Sequence, residues 1–182
     1  MALPIPAPHC TALITEASAG IGVERARALA RRGHGVTLVA RRHDRLRMLA
    51  EELTAATGVR AEVIVADVSD DAPRSAIATP LRERGLQVPV LVNNAGVSTM
   101  GPVHLSEPQS EIAMIRLDVE AVAHLCSLFV PAMVERGTGA VLNVASVAVF
   151  PPRPGQAGYG GCKAFGPYPV TCCGGWPAVI PP

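Results

Sequence analysis

TALITEASAGIGVERARALARRGHGVTLVA (residues 11–40) changes its hydrophobic period twice within thirty residues. TALIT, residues 11–15, is a short apolar run of strand length. A turn carrying Gly20 and Gly22 follows it. GIGVERARALARRG then sets Ile21, Ala26, Leu29 and Ala30 on one helical face, and Gly33 is a natural C-terminal stop. GVTLVA, residues 35–40, is a second apolar strand.

The alternation continues outward from this unit. Asp44 is placed to cap DRLRMLAEELTAAT, whose Leu46, Leu49 and Leu53 recur at helical spacing, and Gly58 ends that helix. AEVIVADV (61–68) reads as a third strand, and 72–84 as a weaker helix interrupted by Pro80. VPVLVNN (88–94) reads as a fourth strand. A long helical region carries Ile115, Val119, Val122, Cys126, Phe129 and Met133 on one stripe, with a bend expected at Pro131 and an end at Gly137. GAVLNVAS (139–146) is a fifth strand. Strands apolar on both faces belong in a parallel sheet covered by helices on both sides. Right-handed crossovers then favour an α/β, doubly wound, Rossmann-like sheet.

Composition excludes several classes. A chain of 182 residues suits one domain with a sizeable core. Sixteen basic against 15 acidic side chains leave +1, so no global field draws nucleic acid or an anionic membrane. Hydrophobic residues make up 49%, which excludes disorder throughout. The run of ~18 apolar residues needed to span a bilayer is missing. The start, MALPIPAPHC, lacks the basic and apolar regions of a secretory signal. Five cysteines, an odd number without metal-ligand spacing, argue against a disulfide scaffold or a metal site. The expected location is cytoplasmic. The last 32 residues differ from the rest: 8 Pro and 7 Gly fall in 151–182, against 9 and 10 in 1–150, and no charged side chain follows Lys163. The expected organisation is a dinucleotide-binding domain over 1–165 and an irregular Pro/Gly/Cys-rich tail over 166–182.

The turn Thr15-Glu16-Ala17-Ser18-Ala19-Gly20-Ile21-Gly22 offers glycines where a helix opens. A pyrophosphate needs that close backbone approach and those N–H groups, although a plain tight turn has the same look. Asn93-Asn94-Ala95-Gly96 ends the fourth strand. Ser146 stands thirteen residues before Tyr159, and Lys163 four residues after it. Tyr159 and Lys163 at that spacing share a helix face. An ammonium there favours the ionised phenol, which makes the phenol a usable acid or base.

In this order and spacing, from about Thr11 to Phe165, the chain resembles the short-chain dehydrogenase/reductase family in its shorter type. The resemblance rests on the Gly-rich turn, Asp67-Val68, the Asn-Asn-Ala-Gly run, Ser146 and Tyr159-x-x-x-Lys163. It implies a sheet order of 3-2-1-4-5 and hydride transfer between a nicotinamide cofactor and a carbonyl or secondary alcohol. It implies that Tyr159 passes the proton, that Lys163 assists Tyr159 and binds the nicotinamide ribose, and that Ser146 positions the substrate oxygen. Thr15, Ser18, Gly20, Ile21, Gly22, Asp67, Val68, Asn93, Ala95 and Gly96 fall on its cofactor-binding positions. The second strand ends Val39-Ala40-Arg41-Arg42, without the carboxylate that an NAD site places on the ribose. Arg41 can meet a 2′-phosphate, so NADP is expected over NAD.

Three departures from the family bear on activity. Glu16 stands where the family has Gly, which adds a carboxylate near a pyrophosphate and strain if φ is positive. Asp118 takes the place of the family's fourth catalytic residue, an Asn that holds a relay water and bends its helix. After Lys163 the family continues with a full helix, two more strands and a substrate lid. The expectation is therefore a C-terminally truncated domain with its last strands missing, through a frameshift or a misassigned end. Its fifth strand becomes an open edge, the glycines at 158, 160 and 161 loosen the helix of Tyr159, and turnover is weak or absent. The competing expectations are a non-catalytic remnant that keeps nucleotide binding, and an interaction module. The family equivalent of the helix at 112–136 builds a dimer interface, which implies a homo-oligomer.

Overall fold

A computed structural model describes residues 3–147 and 154–165. The expected tail at 166–182 lies outside the described residues. Five parallel strands form one sheet: β1 (Cys10–Thr15), β2 (Gly35–Ala40), β3 (Ala61–Val65), β4 (Gln87–Asn93) and β5 (Ala140–Asn143). Their order is β3-β2-β1-β4-β5, as the family pattern implies. β1 is the central strand, with Ala12 opposite Val36 of β2 on one side and Val90 of β4 on the other. β3, β4 and β5 are each shorter or shifted by a residue or more against the apolar runs that mark them, because polar positions at the strand ends belong to loops.

Helices cover both faces because the strands are apolar on both. On one face α1 (Gly20–Ala30) and α2 (His43–Thr57) bury Ala26, Leu29, Leu46, Leu49 and Leu53 against Ile14, Leu38 and Val92. On the other, α3 (Asp71–Ala76), α4 (Ala78–Glu83) and α6 (Ala121–Glu135) bury Ile77, Leu81, Leu125, Phe129 and Met133 against Leu13, Val39 and Leu91. Asp44 lies one residue inside α2 and makes no capping bond, so its charge favours the helix start without closing it. Gly58, at φ 73°, ends α2 and returns its N–H to Thr54. The weak helix at 72–84 is two helices. Pro80 lacks the N–H that would bond Ala76, and the chain breaks at Ile77.

The long helical region is also broken, but not at Pro131, which sits inside α6. α5 (Pro108–Ile115) and α6 are joined by a π turn at Arg116–Glu120. Together they make a continuous run, Pro108–Glu135, that is long and apolar enough to cross a membrane by length and composition alone. Its buried side chains pack on the sheet, as those of a core helix do. α7 (Ala157–Phe165) carries Tyr159 and Lys163. Gly158 of α7 meets Glu111 and Met114 of α5, and a Cβ there would collide with both. That glycine permits a close helix contact instead of merely loosening α7.

Candidate active site

Strand order reverses between β1 and β4, so their C-terminal ends open a crevice at the switch point. Thr15 closes its floor. The Thr15 hydroxyl accepts the N–H groups of Asn94 at 2.9 Å and Ala95 at 3.0 Å, and reaches Val92 O at 3.4 Å. The Asn94 amide returns a bond to Thr15 O at 3.1 Å. Asn93 is buried and its amide donates to Asn143 of β5 at 2.8 Å. Thr15 and Asn93, placed on the cofactor by resemblance, thus brace the crevice with their side chains.

The glycine turn opens directly into α1. Its N-cap is Ala19, with no side-chain cap bond, so first-turn N–H groups near Gly20, Ile21 and Gly22 remain for an anion. Glu16 has φ 52°, the only positive value outside glycine among the described residues. Its carboxylate turns away from the helix start and accepts the Gly96 N–H at 3.2 Å. Glu16→Gly is therefore expected to relieve about 1 kcal/mol of backbone strain. It should raise the melting temperature by a few degrees and tighten dinucleotide binding. A lower melting temperature would show that the bond to Gly96 outweighs the strain.

At the other end of the turn, Ser18 is buried and its hydroxyl accepts two bonds from the Arg42 guanidinium, at 2.9 and 3.1 Å. Arg41, chosen from the sequence, is more exposed and reaches Asp67 at 3.5 Å. Burial works to raise the Asp67 carboxyl, but the Ser69 hydroxyl and amide, with Arg41, outweigh it and hold its pKa below the usual value. Val68 is fixed from behind. Arg74, 1% exposed, donates to Val68 O at 2.9 Å, to His124 Nδ1 at 2.9 Å and to Glu120 at 2.5 Å. A charged core residue in a weak helix leaves no periodic signal, and Arg74 was missed for that reason. Arg42 was visible as half of an Arg pair, but only the fold brings it to Ser18.

The candidate reactive residues lie on β5's C-terminal side and on α7. Ser146 follows the end of β5, two residues beyond Val144, whose carbonyl lies 3.5 Å from Lys163 Nζ. Lys163 Nζ stands 5.8 Å from the centre of the Tyr159 ring. The π turn delivers Asp118 to the same place: its Oδ1 accepts the Val97 N–H at 2.9 Å and its Oδ2 lies 3.3 Å from Lys163 Nζ. Burial raises the Asp118 carboxyl above its usual range, and Lys163 and the Val97 N–H offset this only in part. A π turn inside a helix often marks a functional position, because the extra residue turns a side chain inward.

A doubly wound sheet with a glycine turn leading into an uncapped helix start at the switch point defines a nucleotide-binding α/β class. The chain belongs to the short chain dehydrogenase family, whose model matches residues 10–167. It is 36% identical over 163 residues to a very-long-chain 3-oxoacyl-CoA reductase of Anas platyrhynchos, covering 86% of this chain and 51% of that protein. It is similar to the structure of a short-chain dehydrogenase from Sphingobium yanoikuyae in complex with NADPH. That match has 38% identity, a TM-score of 0.79, and coverage of 87% of this chain and 62% of that one. A metagenomic short-chain oxidoreductase in complex with NADP matches at 35% identity and a TM-score of 0.81, covering 86% and 71%. The chain spans about half the length of the curated relatives it matches.

Proposed function

We propose that the chain is an NADP(H)-dependent oxidoreductase acting between a carbonyl and a secondary alcohol. The observation that carries this reading is Lys163 Nζ held 5.8 Å from the Tyr159 ring centre and 3.5 Å from Val144 O, two residues before Ser146 in the chain. The dinucleotide fits the residues present. The uncapped start of α1 suits the pyrophosphate, and Asp67 and Val68, at the positions that hold the adenine in the family, would hold that end. Arg42 beside Ser18, with Arg41 next to it, suits a 2′-phosphate. Residues 40–43 contain no carboxylate to take an NAD ribose, and relatives bound to NADPH and NADP support the same choice.

When bound, the nicotinamide supplies or accepts the hydride at the substrate carbon. In the reducing direction the Tyr159 O–H gives its proton to the substrate oxygen, and in the oxidising direction the phenolate takes it back. The Ser146 hydroxyl donates a hydrogen bond to that oxygen and holds the carbon in place. The Lys163 ammonium, beside the Tyr159 ring, would offer its protons to the cofactor's ribose.

The rim of this site is apolar. Val97, Met100 and Val147 are exposed, Met100 at 81%. The loop carrying Met100 is tied to the approach of α7 by the Gly101 N–H on Gly155 O at 2.8 Å. Apolar rim side chains favour a carbonyl flanked by bulky hydrocarbon over a polyhydroxylated one. Following NADPH consumption over a panel of carbonyls is the test. Aryl and long-chain ketones are expected to exceed open-chain sugars by about tenfold in kcat/KM, a difference of 1–2 buried methylenes. No consumption with any carbonyl would refute the assignment and leave a nucleotide-binding remnant, a reading that the reductase relatives do not favour. The helical run presents Ile112, Ile115 and Val134 partly to solvent, which supports a second copy of the chain as its partner. A cytoplasmic setting fits a reducing cofactor.

A further inference from the structure

The carboxylate of Asp118 brings a formal charge to a place that is closed to solvent. Asp118 is 2% exposed and Lys163 is 8% exposed. Asp118 Oδ2 has no hydrogen bond of good geometry among the described residues, and its neighbour is the Lys163 ammonium at 3.3 Å. The pair lies directly under Gly96. A Cβ on Gly96 would come within 2.6 Å of Lys163 Nζ and 3.1 Å of Asp118 Oδ1. So the ammonium is confined between the Asp118 carboxylate, Val144 O, the Tyr159 ring and the Gly96 backbone. The titratable groups around it are Asp118 from the π turn, Glu111 from α5, Tyr159 and Cys162 from α7, and Glu16 on the far side of Gly96.

We propose that Asp118 is the resident counter-ion of Lys163, a positioning residue with which any ligand in the crevice must compete for the ammonium. A neutral amide at this position holds the Val97 N–H equally well but exerts no pull on the lysine. The ionised carboxylate both holds the lysine in register with Tyr159 and draws it away from a hydroxyl in the crevice. Protonating Asp118 releases that pull. Handing the ammonium to a ligand removes the counter-ion and makes the carboxylate easier to protonate. Ligand affinity should therefore rise as pH falls through the Asp118 titration, which burial places above the ordinary carboxylate range.

Lys163 is the only lysine in the chain, which makes the test direct. Protein labelled with [13C,15N]lysine gives one side-chain amine signal, followed without cofactor from about pH 4 to about pH 8. The expected result is one step in the Nζ shift, lost in Asp118→Asn and kept in Glu111→Gln and Glu16→Gln. A wild-type signal with no step, or a step that survives in Asp118→Asn, overturns the proposal. The wild-type titration decides this even if the variant does not fold. The second measurement rests on the proposed cofactor. The dissociation constant for NADP+ by calorimetry should be about tenfold lower in Asp118→Asn near pH 8, with the difference vanishing toward about pH 4. An unchanged affinity near pH 8 would show that no competition exists. If neither protein binds NADP+ while the amine step is lost in Asp118→Asn, the ion pair stands and the dinucleotide reading falls.

Discussion

Tyr159→Phe is expected to lower kcat by about two to four orders of magnitude, the range that a positioned acid contributes to proton transfer. The dissociation constant for NADPH should change little, because the phenol acts on the substrate oxygen. The ring itself stays in place against Lys163, and Gly158 still seats α7 on α5, so the melting temperature should hold. The measurement is single-turnover oxidation of NADPH with an aryl ketone, alongside a melting curve. If the variant turns over like the parent, the proton comes from elsewhere and the assignment of Tyr159 is wrong. A fall in activity with an equal fall in melting temperature would instead mark Tyr159 as a packing residue.

The second large effect concerns cofactor choice. Arg42→Ala is expected to erase about 10- to 150-fold of the preference for NADPH over NADH, since a hydrogen bond to a charged group is worth about 1.5–3 kcal/mol. Arg41→Ala should cost less. Its guanidinium is exposed and already faces Asp67, so water and salt screen it. The order reverses the ranking that the sequence alone suggests, and competition binding with the two cofactors checks it. Equal affinity of the parent chain for both would remove the preference altogether. A loss confined to Arg41→Ala would show that Arg42 stays on Ser18 when the ligand binds.

Most of the sheet was legible because its strands announce themselves. Leu13, Ile14, Leu38, Val39, Leu91 and Val92 are apolar in succession, and only a two-sided burial explains such runs. The ends of α1, α2 and α6 were legible from Gly33, Gly58 and Gly137, each in the left-handed region. What could not be read were features that depend on a distant partner. The resemblance put a helix bend at Asp118, but its neighbours in sequence do not show that the bend is a π turn. Its position follows from Val97 and Lys163, which approach from 21 residues before it and 45 residues after it. Glu16 was legible as a strained residue, but its bond to Gly96 was not, because that bond joins two loops across the sheet. Thr15 and Asn93 were placed on the cofactor by resemblance, and the hydrogen bonds that their side chains also make to the Asn94 and Ala95 amides and to Asn143 could not be read from the sequence. The candidate site was therefore legible as a list of positions, and its division of labour was not.

The π turn at Arg116–Glu120 can also be viewed as a question of inheritance. A π turn holds one residue more than the α-helical turn it replaces. A single in-frame codon deletion within 116–120 would leave every strand intact but turn α5, with the fully buried Met114, by about 100° relative to α6. The sheet carries no residue of the turn, whereas the place of Asp118 beside Lys163 depends on it. The extra residue of this turn ties Asp118 to Lys163, so the length of the segment, and not only its composition, sets the charge beside the lysine.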